Sequence, residues 1–118
     1  MKALSKKIIA FRNARNWKQF HTPLNLALSL QIEVAELLEQ FQWKDNADFV
    51  KEYGINKQKQ KAVNDEVADI LAYLILFSES LHIDLESAFK KKMKDNDKKY
   101  PIEKSKGNAK KYTEFINK

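Results

Sequence analysis

Two pairs of carboxylates define the chemistry open to this sequence. Glu33 and Glu36 stand three residues apart in LQIEVAELLEQFQWK (residues 30–44), and Glu66 and Asp69 repeat the spacing in NDEVADILAYL (residues 64–74). Helical residues three and four apart share a face, so Glu33 falls on one stripe with Leu26, Leu30 and Leu37, a costly place for an acid. Two such helices face to face gather four carboxylates. At about 4 Å and an effective dielectric of ~20, each like-charge contact costs roughly 4 kcal/mol, so the cluster calls for a cation or raised pKa values. The spacing E-x-x-E alone is ordinary on a solvated helix; the apolar stripe around it is what argues for metal. The chain has no Cys, and its two His, His21 and His82, stand at neither Glu-x-x-His position. Thiolate and di-iron sites are therefore disfavoured, and an oxygen-only set at Glu33, Glu36, Glu66 and Asp69 suits Mg²⁺, or else Mn²⁺. Mg²⁺ keeps waters and takes phosphate oxygens, which implies a phosphorylated substrate.

Aromatic residues form a second set: Trp17, Phe20, His21, Trp43 and Tyr73. Aromatics at helix ends are most often core. Tyr73, however, shares a face with Glu66 and Asp69, and Trp43 follows Glu36 by seven residues, two turns on in nearly the same direction if the helix continues. A flat indole beside a metal-phosphate site suits a nucleobase. The third set lies in KKKMKDNDKKYP (residues 90–101). Its bland reading is a solvated basic helix; its functional one has Lys92, Asn96 and Lys99 reaching phosphate oxygens.

The elements that must position these residues read as helices throughout. The chain is 43% hydrophobic with two Gly and two Pro in 118 residues, enough for one domain, all-α, and too little for two. The first helix spans 2–15, with Leu4, Ile8 and Phe11 on the packed face and basic residues on the other. After the connector NWKQFHTP, Thr22 caps and Pro23 begins a helix over 23–43, apolar nearly all round and therefore suited to an assembly. Asp45 caps a short helix over 46–53 closed by Gly54 in a left-handed conformation. A long helix runs from Asn56 to about Leu81, and Asp84 caps a fourth long one over 85–99 that stops before Pro101. The tail from 100 to 118 lacks a sustained period and is expected to be irregular, ordered only where Tyr112 and Phe115 dock.

No run approaches the ~20 apolar residues of a membrane span, and the start lacks a signal-peptide core, so a cytoplasmic protein without membrane association is expected. The net charge of +6 is uneven: residues 1–89 carry 11 Lys and Arg against 12 acids, and residues 90–118 carry 11 against 4. That basic end supports a competing reading, a helical adaptor that binds nucleic acid or a protein without catalysis. The adaptor leaves the acids in the apolar stripe unexplained, and no helix-turn-helix, RNP or zinc pattern accompanies it, so nucleic acid is not expected as a partner.

Taken in order, WKQFH, EVAELLEQFQWK, DEVADILAYL, KMKDNDKKYP and KYTEF resemble the MazG-like all-α nucleoside triphosphate pyrophosphatases, and within them the dCTP pyrophosphatase branch. The likeness covers about residues 8–116. It implies one domain over 1–118, a four-helix bundle with an irregular tail. It also implies a homotetramer or dimer of dimers in nucleotide-pool house-cleaning. The implied reaction is Mg²⁺-dependent cleavage between the α- and β-phosphates, to monophosphate and pyrophosphate, of dCTP or a modified relative. By position, Glu33, Glu36, Glu66 and Asp69 match the metal ligands of that family. Trp17, Lys18, Gln19, Phe20, His21, Trp43 and Tyr73 match base and sugar contacts, and Lys92 and Asn96, with Lys99 beside them, phosphate contacts. The general base is left open between Glu36 and Glu39.

Overall fold

A computed structural model describes residues 1–109 and Thr113; the docking expected of Tyr112 and Phe115 falls outside these. Among the described residues every regular element is helical: α1 (Lys2–Ala14), a 3₁₀ turn (Lys18–Phe20), α2 (Pro23–Glu39), α3 (Asn46–Ile55), α4 (Lys57–Ser80), α5 (Leu85–Lys99) and α6 (Ile102–Ser105). The chain divides into two compact units, Met1–Ile83 and Asp84–Lys118.

In the first unit α4 is the hub. α2 packs along most of it, and α1 and α3 also lie against it. Leu26, Phe49, Ile75 and Leu76 form the buried apolar core. The helix starts follow the sequence: Thr22 Oγ1 accepts from the Asn25 amide at 3.1 Å, Asp45 from Asp48 at 2.9 Å, and Asn56 from Lys59 at 3.0 Å. Each satisfies an amide that the first turn leaves without a partner.

The helix ends hold more surprises. α1 closes in a Schellman arrangement: Asn16 takes φ 54°, its amide donates to Asn13, and the Trp17 amide donates to the Arg12 carbonyl. His82 (φ 55°) does the same for α4, with Ile83 donating to Ser78. α2 stops at Glu39 rather than 43; successive three-residue turns follow, ending with Trp43 at φ 66°. Stacking of Phe41 on buried Phe49, with ring centres 3.8 Å apart, draws the chain out of the helix. Gly54, expected as a left-handed stop, lies inside α3, which runs on to Ile55 because Asn56 ends that helix and caps α4.

The packed face of α1 is also shifted. Leu4 and Phe11 are exposed, while Ser5, Ile8 and Ile9 are half-buried and Arg12 is 3% exposed, so a basic residue occupies the inner face. The Arg12 Nη1 donates to Glu79 Oε2 on α4 at 2.6 Å, and its Nε to Asn13 Oδ1 at 3.0 Å. On α2 the pattern expected of a helix apolar all round holds: Leu26 is 1% exposed, while Leu24, Leu28, Ile32, Val34 and Leu38, spread around the rest of the helix, are open.

In the second unit Asp84 caps α5 through Ser87 at 3.1 Å. The tail is not irregular throughout: Pro101 fixes the backbone for a single helical turn, α6, before Gly107 turns left-handed at φ 79°. Among the described residues no helix is long and apolar enough to cross a membrane.

Candidate metal centre and nucleotide site

The acids meet where α2 and α4 run against each other. Glu33 and Glu66, both half-buried, and Asp69, exposed, each offer a carboxylate oxygen within 4.8 Å of the others. Glu33 lies on the same side of α2 as Leu26, so packing that stripe against α4 brings its carboxylate to Glu66. Glu36 stands outside the three-residue group but close enough to act on Glu33 by charge and contact.

Neither Glu33 Oε2 nor Glu66 Oε2, both shielded from solvent, has a hydrogen-bond partner. Two carboxylates can bond to each other only when one is protonated. The Glu33 carboxyl is accordingly pushed up to about 7, first by its contact with Glu66, then by burial and the Glu36 charge. Buried carboxylate oxygens without donors are what a hard cation satisfies, and an all-oxygen set fits Mg²⁺ or Mn²⁺. The residues present therefore fit such an ion.

Tyr73, two turns beyond Glu66, is half-buried; burial raises its pKa first, then the charges of Glu33 and Asp69, while Ser29 on α2 acts in the opposite direction. Ser29 was not singled out by the sequence; its signal is that it lies one turn before Glu33 on α2. At the end of α1 the Trp17 ring meets Phe11 edge-on at 5.7 Å and His21 at 6.4 Å, and the Arg15 guanidinium lies 3.6 Å from the Phe11 ring centre. His21 Nδ1 is buried without a partner, and the ring is held below its ordinary pKa of 6.5 by burial and by Arg12. Asn25 donates to the Phe20 carbonyl at 3.1 Å and Gln19 to that of Asn16 at 3.0 Å, tying the 3₁₀ turn to both flanking segments. Lys18, Gln19 and Phe20 are exposed on that turn.

Two placements differ from what helical spacing suggested. Trp43 does not continue α2; it is 94% exposed, so the two-turn argument that aimed it along Glu36 no longer applies. Glu39, the last residue of α2, is exposed and turned about 120° around the helix from Glu33. Arg12 was missed, its signal being a place three and four residues after Ile9 and Ile8. Lys92, Asn96 and Lys99 all stand on α5 in the second unit, Lys92 exposed and the other two half-buried.

An acid cluster between two antiparallel helices of an all-α chain defines a class, and the chain belongs to the MazG-like family, whose profile matches residues 28–115. Among proteins similar to it are the dCTP pyrophosphatase 1 of Rattus norvegicus, 41% identical over 105 residues, and that of Homo sapiens, 38% identical over 105 residues. Both matches cover 89% of this chain and 61% of the relative, so the chain spans about three fifths of their length. A pyrophosphatase from Archaeoglobus fulgidus DSM 4304 is similar in structure, with a TM-score of 0.75 and 42% identity over 86% of this chain and 92% of that one.

Proposed function

We propose that this chain is a Mg²⁺-dependent nucleoside triphosphate pyrophosphohydrolase that cleaves between the α- and β-phosphates of dCTP or a modified dCTP. The observation that carries this reading is the cluster of Glu33, Glu66 and Asp69 with two shielded oxygens lacking donors, in a chain similar to proteins named as pyrophosphatases. Glu33, Glu66 and Asp69, with Glu36 beside them, hold the cation; Mn²⁺ meets the same oxygen donors. When bound, the metal offsets phosphate charge and lowers the pKa of a water.

The residues of the chain do the rest. Tyr73 meets the sugar, while Trp17, Lys18, Gln19, Phe20, His21 and Trp43 receive the base. Lys92, Asn96 and Lys99, on α5 of the second unit, are assigned to phosphate oxygens by the resemblance alone. Glu36 is a better general base than Glu39, because it lies next to Glu33 whereas Glu39 faces away. The open apolar side of α2 supports a homo-oligomer, a tetramer by resemblance, because five large side chains there lack cover. Residues 1–118 act as one domain of a cytoplasmic nucleotide-pool enzyme.

The test is incubation of the pure protein with a panel of nucleotides and Mg²⁺, products being resolved by ion exchange. Monophosphate and pyrophosphate from dCTP are expected. Orthophosphate release, or full activity in excess EDTA, refutes the reading.

A further inference from the structure

Arg12 is the most buried charge described, yet it lies outside the acid cluster. A guanidinium removed from water is costly unless paired, and its partner Glu79 is itself about a third exposed. The same residue anchors the end of α1 through its main chain, since its carbonyl accepts the amides of Arg15 and Trp17, both at 3.2 Å. The side chain and carbonyl of one residue thus tie the turn that begins at Trp17 to the last part of α4.

We propose that Arg12 is a positioning residue for the nucleotide base: its buried pair with Glu79 fixes the end of α1 on α4 and so sets Trp17 and His21 for base contact. This rests on the nucleotide reading above. Trp17 leans edge-on against Phe11, the neighbour of Arg12, and His21 lies within the field of the guanidinium. Burial and that nearby charge hold the His21 ring below its ordinary pKa, and its Nδ1, shielded from solvent, has no partner within the chain. Lysine would keep the charge but lose the planar fork that serves Glu79 and Asn13 together.

The experiment measures kcat and KM for dCTP with the full chain and Mg²⁺, comparing wild type, Arg12→Lys, Arg12→Met, Arg12→Met with Glu79→Met, and Trp17→Ala. Stabilisation by Mg²⁺ without nucleotide reports the acid cluster separately. Arg12→Met is expected to raise KM about tenfold, the scale of a modest displacement of a binding group, with kcat within about twofold. Mg²⁺ stabilisation should stay unchanged, and Arg12→Lys should recover part of the KM. Where the single variant fails to fold, the double variant, which removes both charges, carries the same expectation. Unchanged KM in the folded Arg12 variants, or a fall in kcat alone, overturns the proposal. If Trp17→Ala also leaves KM unchanged, the base-contact reading of this turn fails with it; if Trp17→Ala raises KM, only the role of Arg12 is lost.

Discussion

Replacing Glu33 by glutamine should stabilise the metal-free protein at pH 8 while abolishing most of its response to Mg²⁺. The Glu33 carboxyl sits at about 7 in the folded chain against an ordinary 4.5. A raised folded pKa means that the native state holds this proton more tightly, so its contribution is fully present below 4.5 and is lost as pH rises through 7. The full difference would be about 3 kcal/mol, and solvent screening at a half-exposed site reduces it to about 1–2 kcal/mol. Glutamine keeps the shape and can donate to Glu66 at any pH. Wild type and Glu33→Gln should therefore agree near pH 4.5, with the variant ahead by about 1–2 kcal/mol at pH 8 in EDTA. With Mg²⁺ at a hundred times its dissociation constant, wild type should gain about 2.7 kcal/mol and the variant far less. Urea unfolding at fixed protein concentration, across pH and with or without Mg²⁺, reads both effects. A variant less stable than wild type at pH 8 in EDTA, or equally responsive to Mg²⁺, would refute the reasoning.

Other perturbations probe separate parts. Trp43→Ala should raise KM for dCTP about fivefold or more if the indole stacks on the base, with stability changed by less than about 0.5 kcal/mol because the ring is exposed; titration of rate against substrate decides, and an unchanged KM removes Trp43 from the site. Leu28→Glu should turn an oligomer into smaller species by light scattering, since the change puts a charge on the open side of α2; an undiminished mass places the interface elsewhere. Leu26→Ala should cost about 2–5 kcal/mol in unfolding experiments, and Thr22→Ala about 1 kcal/mol, because the first empties the best-buried position and the second loses the α2 cap.

Helix starts were legible because each depends on one side chain and the residues just after it: Thr22, Asp45, Asn56 and Asp84 all accept as their types imply. The acid cluster was legible for a related reason, as an acid inside an apolar stripe is a local contradiction that only a partner can resolve. Helix ends depend on what lies across the fold. α2 stops early because Phe41 finds Phe49, and Gly54 continues α3 because Asn56 supplies the boundary. Arg12 escaped notice because a basic residue on a basic helix looks solvated until Glu79, 67 residues away, is seen beside it. A cue was present at Asn16 and Trp17: a residue tolerant of positive φ followed by an aromatic is the signature of a Schellman end.

Asn56 closes one helix and opens the next, accepting the Lys59 amide with its side chain while donating its own amide to Glu52 at 2.9 Å. With no spare residue at the junction, an insertion there would rotate α3 by about 100° relative to α4, pulling Phe49 from Phe41 and the Tyr53 hydroxyl from Asn64, now 2.8 Å apart. A change of chain length between the two acid pairs is better placed in the short stretch from Gln42 to Asp45, where all four residues are exposed. A peptide graft or added loop there leaves the register of Glu33 against Glu66 intact, whereas one residue inserted beside Asn56 does not.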